Sequence, residues 1–136
     1  MLIVVAAWLI HAFLGPWETI LRMPLVGLVL VVLGFGFMLW ARTSFTSRKT
    51  TLFVGQSSTQ LVCDGPFRVS RNPMYLGVLV SLVGLALCIG TFPLYMSVPT
   101  TFAVFNFFHI PREERMLRDS FGEPYRTYSN EVRRWL

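Results

Sequence analysis

The sequence predicts an all-α, polytopic membrane protein: about four transmembrane helices followed by a cytoplasmic C-terminal helical segment. Three observations predict it. Hydrophobic residues fill 54% of the 136 positions and charged residues 14%, against roughly 25% charged in soluble domains. The apolar residues gather into four stretches, about 1–14, 24–41, 75–92 and 94–110. The basic residues flank those stretches instead of forming a soluble face. The net charge of +5 therefore speaks for orientation in a lipid bilayer and against a nucleic-acid partner. The length suits a single domain, residues 1–136.

The elements follow in order. The opening "MLIVVAAWLIHAFLGPWE" has no cationic start and no small-residue cleavage site, so it reads as a retained span and not a signal peptide. A spanning helix takes about 20 apolar residues, with a range of about 17–25. The first stretch reaches that length only with Gly15 to Trp17 at the interface. Gly15-Pro16 then breaks the chain before the second span. Within that span, "GFGF" at 34–37 lacks the third glycine and the preceding strand of a dinucleotide-binding loop. Gly34 and Gly36 predict close helix packing instead. Residues 43–62 turn to Ser, Thr, Gln and Gly and predict an ordered loop. Gly90-Thr91-Phe92-Pro93 predicts a tight turn, making the third and fourth spans a helical hairpin.

Charge sets the orientation. Arg42, Arg48, Lys49, Arg68 and Arg71 lie in 42–74, and Arg112, Arg115, Arg118, Arg126, Arg133 and Arg134 follow residue 110. Arg22 is the one basic residue elsewhere. With four spans, both termini and the 42–74 segment are cytoplasmic. Cys63 and Cys88 have no CxxC or histidine-rich company, so neither a disulfide nor a metal site is implied.

Two segments carry polar groups where lipid-facing helix is otherwise expected. In "RNPMYLG" at 71–77, Pro73 biases Asn72 away from helix and leaves backbone groups for a ligand. Tyr75 then opens the third span with its hydroxyl at the interface. In "HIPREERMLRDSFGEPYRTYSNEVRRWL", Pro111 suits the first turn of a helix that Gly122 and Pro124 end. Glu113, Leu117 and Phe121 share a face, four residues apart. Glu114 and Arg118 pair on the adjacent, solvent-exposed face. Glu113 is thus read as the inward carboxylate, either partnering the helix dipole or meeting a cation such as Arg68, Arg71, His109 or a ligand. Tyr125, Tyr128 and Trp135 read as interfacial anchors.

"LVCDGPFRVSRNPMYLG" followed by the 109–134 tail resembles the isoprenylcysteine carboxyl methyltransferase and phospholipid methyltransferase superfamily. These are integral-membrane enzymes that use S-adenosyl-L-methionine without a nucleotide-binding sheet. The resemblance covers 61–77 and 113–134. It implies cofactor contacts at Thr59, Gln60, Leu61, Val62, Phe67, Asn72, Pro73, Met74, Tyr75 and Glu113, and it makes Arg71 and His109 the substrate-binding candidates. Asn72 stands where histidine is more familiar, as in many bacterial-type relatives, so the expected location is a bacterial inner membrane. His109 stands where isoprenylcysteine enzymes usually carry a substrate-binding arginine.

Methyl transfer from a sulfonium is an in-line displacement that depends on alignment, so no residue is assigned as a general base. The acceptor stays open between an isoprenylcysteine carboxylate, a phospholipid amine and a small thiol, and the oligomeric state is not legible. A NADPH-dependent sterol-reductase-like oxidoreductase and a non-catalytic membrane component are the alternatives.

Overall fold

The computed structural model describes residues 5, 6, 8, 9, 21–46 and 61–136. Most of the first apolar stretch, much of the 43–62 loop, and the cofactor candidates Thr59 and Gln60 lie outside the described residues. Every described element is helical: α1 (Pro24–Thr46), a 3-10 turn (Gly65–Arg68), α2 (Pro73–Ile89), α3 (Phe92–Val104), a π-helical segment (Phe105–His109), α4 (Ile110–Phe121) and α5 (Glu123–Glu131).

Proline and glycine set the boundaries. Pro73 occupies the first turn of α2, where its missing N–H costs nothing. Gly90 closes α2 in the left-handed conformation at φ 80°, and its N–H reaches the Ala86 carbonyl at 2.7 Å. Thr91 and Pro93 then open α3, as the hairpin reading expects. Gly122, at φ 56°, ends α4, while Pro124 falls in the first turn of α5 and so begins one helix as well as blocking another.

The two longest helices lie antiparallel and touch backbone to backbone. A Cβ placed on Gly27 would meet the Gly84 carbonyl at 2.5 Å, and one on Gly34 would meet the Gly77 carbonyl at 2.6 Å. The glycines recur every seven residues on both helices, which keeps them on one seam. Gly34 packs as expected. Gly36 does not, because two positions away it faces outward with nothing within 4 Å. Polar ties finish the far end of the seam. Met23 N–H bonds Leu87 O at 2.9 Å, Arg22 Nε bonds Cys88 O at 3.2 Å, and the Tyr95 hydroxyl bonds Leu21 O at 2.7 Å.

The fourth apolar stretch is not one regular helix. Pro111 has no N–H, and its ring crowds the carbonyl four residues back, on Phe107. The chain answers by widening the turn just ahead, so that Ile110 N–H reaches Phe105 O, five residues back. Among the described residues one helix, Pro24–Ser44 within α1, is long and apolar enough to cross a membrane. At 17 residues, α2 is apolar but shorter. Leu25, Leu28, Val32, Leu33 and Phe35 of α1 are all exposed.

A separate core sits beyond the start of α2. Val62 and Phe67 from the 61–72 segment pack against Tyr125 and Tyr128 of α5, with Leu117, Phe121 and Val132 around them. The two tyrosines are therefore core residues and not interfacial anchors. Their spacing of three puts both on the inner face of α5, and the Tyr128 hydroxyl has a buried acceptor in Phe67 O at 2.7 Å.

Candidate active site

The segment between the 3-10 turn and α2 is held by the residues near 134. Arg71 N–H bonds Arg133 O at 3.0 Å, Ser70 Oγ bonds Arg134 O at 3.2 Å, and Asn72 Nδ2 bonds the same carbonyl at 3.0 Å. Asn72 does leave helical geometry before Pro73, at φ −128° and ψ 53°. Its backbone is nevertheless not free for a ligand: its N–H bonds Ser70 Oγ at 3.1 Å and its carbonyl accepts from Leu76 N–H at 3.0 Å. A buried N–H and C=O are worth pairing internally when no ligand is needed to satisfy them.

Glu114 is the inward carboxylate. Its side chain is 6% exposed and is met by three guanidinium groups. Arg134 Nη2 and Nε donate to it at 2.7 and 3.1 Å, Arg71 Nη1 lies at 3.5 Å, and Arg118 Nη2 at 3.9 Å. The expected pairing with Arg118 exists, but as the outermost of the three contacts and not on a solvated face. The inner side of α4 runs through Ile110, Glu114, Leu117 and Phe121. Residues three and four apart are both neighbours on a helix, so Leu117 and Phe121 serve either glutamate. The arginines decide between them. Bonding to Glu114 raises the Arg134 pKa further, while burial and the Glu114 charge raise that of Tyr125.

Glu113 lies on the flank of that face, half-buried, and meets a phenol instead of a cation. The Tyr75 hydroxyl donates to Glu113 Oε1 at 2.6 Å, a short bond of the kind an ionised acceptor makes. The Tyr75 ring packs on Phe105 with centroids 4.5 Å apart. His109, exposed, stands 6.0 Å from Phe105 and 6.5 Å from Tyr75. Because the helix continues through the π-helical turn, His109 and Glu113 remain about one turn apart on the side that Tyr75 approaches.

Of the sequence candidates, Tyr75, Glu113 and His109 come together, with Pro73 and Met74 opening the helix that carries Tyr75. Leu61, Val62 and Phe67 pack in or against the α5 core, and Arg71 turns to Glu114 instead of Glu113. The residues the sequence reading missed are Phe105, Asn106 and Arg134, while Glu114, read as a surface ion-pair partner, and Trp135, read as an interfacial anchor, bond within this cluster instead. Asn106 Oδ1 accepts from Trp135 Nε1 at 3.2 Å and from Arg134 Nη1 at 3.4 Å. A lone amide in an apolar run was the available signal for Asn106. Nothing local in the sequence marks Arg134 over the other arginines.

A sequence model of the phospholipid methyltransferase family matches residues 23–124. An uncharacterized protein of Haemophilus influenzae is 41% identical over 63 residues, covering 46% of this chain and 100% of its own length. Two rice proteins, from Oryza sativa subsp. indica and subsp. japonica, are each named probable protein-S-isoprenylcysteine O-methyltransferase. Each is 34% identical over 113 residues, which is 79% of this chain but 57% of the rice protein. No solved structure matches. With three quarters of its length aligned to the family, and the Arg-Asn-Pro-x-Tyr segment and both glutamates inside that match, the chain belongs to the phospholipid methyltransferase family.

Proposed function

We propose that the chain is an S-adenosyl-L-methionine-dependent methyltransferase that works at the membrane–water boundary on a lipophilic or small acceptor. The observation that carries this reading is the Tyr75–Glu113 hydrogen bond beside the Phe105 ring. The groups suit the cofactor's chemistry. Glu113 Oε1 is engaged by Tyr75, while Oε2 accepts no hydrogen bond from the described residues. That oxygen can take an ammonium or a hydroxyl donor. The faces of Phe105 and Tyr75 are the kind of surface that attracts a cation such as a sulfonium. The bound cofactor supplies an electrophilic methyl group, and the protein supplies placement.

Tyr75 fixes the carboxylate, the aromatic rings keep water from the reacting line, and His109 stands at the exposed side where an acceptor arrives. Excluding water strips hydration from an incoming nucleophile, and alignment lowers the entropic part of the barrier. No side chain in the cluster is required as a base. A carboxylate or thiolate acceptor needs none, and an amine must arrive unprotonated. The rice proteins' name favours an isoprenylcysteine-type carboxylate, whereas His109 in place of the arginine of such enzymes favours a different acceptor. The wider reading is a single unit with four spans and both termini cytoplasmic, in a bacterial inner membrane. It rests on the eleven-to-one distribution of basic residues about the apolar stretches.

The test is incubation of purified protein with methyl-labelled cofactor and membrane lipid extract, followed by identification of the labelled product. Calorimetric titration with S-adenosylhomocysteine accompanies it. Binding plus a labelled lipid or small molecule is expected. Absence of both with folded protein refutes the assignment.

A further inference from the structure

Tyr75 and Glu113 sit on different helices, α2 and α4, and their hydrogen bond has to be held from outside the pair. On the α2 side, Arg71 lies four residues before Tyr75. On the α4 side, Glu114 is the next residue after Glu113. The two outside residues are themselves joined at 3.5 Å. Arg134 completes the arrangement. Its guanidinium grips Glu114 with two bonds, at 2.7 and 3.1 Å. Its third nitrogen reaches Asn106 in the π-helical segment, next to Phe105, at 3.4 Å. Its carbonyl takes Ser70 Oγ and Asn72 Nδ2 at 3.2 and 3.0 Å. One residue thus touches every element that presents a group to the candidate site: the segment leading into α2, the π-helical turn, and α4. It lies beyond residue 124, where the family match ends.

We propose that Arg134 is a positioning residue: its guanidinium clasps Glu114 and Asn106 together, beside a main-chain carbonyl that holds the 70–72 segment, and so sets the separation at which Tyr75 meets Glu113. A planar guanidinium with a fixed fork of donors suits this role, since it can hold a carboxylate at two points while reaching a third acceptor. A lysine would keep the charge but lose the fork. The inference rests on the methyltransferase reading for its functional meaning, yet the contact it governs can be measured without cofactor.

The experiment is a double-mutant cycle of Tyr75→Phe and Glu113→Gln, read as unfolding equilibria of the full chain in detergent micelles, in three backgrounds: wild type, Arg134→Lys and Arg134→Met. A charge-assisted bond predicts coupling of about tenfold or more in the unfolding equilibrium for the wild-type background. Coupling falling close to onefold in Arg134→Met and to an intermediate value in Arg134→Lys is the expected result. Should Arg134→Met not fold, the lysine variant decides by the same comparison. A residue that merely adds stability would lower every unfolding midpoint and leave the coupling at its wild-type value, which overturns the proposal. Affinity for S-adenosylhomocysteine is measured on the same proteins. Loss of affinity with coupling intact would make Arg134 a direct ligand contact and also overturn it. If no variant, wild type included, binds S-adenosylhomocysteine, the methyltransferase reading fails and the coupling result still stands or falls on its own.

Discussion

Glu113 and Glu114 are adjacent and chemically identical, yet one is half-exposed and bonded to a phenol while the other is buried among arginines. Their substitutions should separate accordingly. Glu114→Gln leaves Arg71 and Arg134 without their carboxylate, and a loss of about 1.5–3 kcal/mol in unfolding free energy is expected. Glu113→Gln should cost less stability and weaken S-adenosylhomocysteine binding by roughly ten- to a hundredfold. Unfolding curves in detergent and calorimetry of the two proteins, side by side, check both halves; equal behaviour would contradict the division. Helical periodicity could not make that division, because Leu117 lies four residues from one glutamate and three from the other, and Phe121 lies eight and seven, so both share a face with either. The deciding groups, Arg71 and Arg134, are 43 and 20 residues away from Glu114 in the chain. The sequence did pick out Tyr75 and Glu113 separately, through their neighbours in recognisable motifs. That the phenol, and not a cation, satisfies Glu113 is a fact of packing.

At the scale of elements, helix ends were the most legible feature, since Pro73, Gly90 and Gly122 act on the backbone of their own turn. Long-range packing was less so. Gly34 and Gly36 look equivalent in "GFGF", but only Gly34 faces α2. Two substitutions expose the difference. Gly34→Ala drives a methyl group against the Gly77 carbonyl and the Ser81 backbone, and should destabilise the α1–α2 pair by about 1–3 kcal/mol. Gly36→Ala meets nothing and lowers the entropy of the unfolded chain, so a gain of about 0.5–1 kcal/mol is expected. Thermal unfolding in detergent reads both, and the opposite signs are the point of the comparison. Pro111 does occupy the first turn of α4, as its sequence suggests, but the chain ahead of it stays helical, and the loosened register of the π-helical segment has no local signal beyond that proline.

For the molecule as a whole, orientation is tested by cysteine labelling from outside intact cells. A cysteine at Phe92, exposed at the α2–α3 turn, should react, and one at the exposed Arg126 on α5 should not. Reversal of the two would invert the topology. The α5 core gives the fold a dependence on alkaline pH. Burial raises the pKa of Tyr125 and Tyr128 above the ordinary tyrosine value, so the unfolded chain gives up these protons first. Stability should hold below about pH 10 and fall as pH rises through the folded values. Tyr128→Phe should flatten that fall while lowering stability at neutral pH through loss of the bond to Phe67. Unfolding midpoints at pH 8, 10 and 11 provide the check.

The glycine seam also fixes how far the two long helices are offset. Gly34 lies opposite Gly77, so continuing the antiparallel register four residues sets Pro73 beside Met38. Residues 39–46 of α1 then run on past the start of α2 by about 12 Å. Gly65 faces that projecting length: a Cβ placed on it would lie 3.5 Å from Ser44 Oγ and 3.8 Å from the Trp40 ring. With backbones in direct contact, neither helix can slide to close the step. Tyr75, level with Gly36, therefore lies at the foot of a ledge, about 15 Å below the end of α1, with Glu113 bonded to it there. In a bilayer that α1 spans, the step sets Tyr75 at the level of the acyl chains, so that on the proposed methyltransferase reading a lipid-borne acceptor would be reached without leaving the lipid.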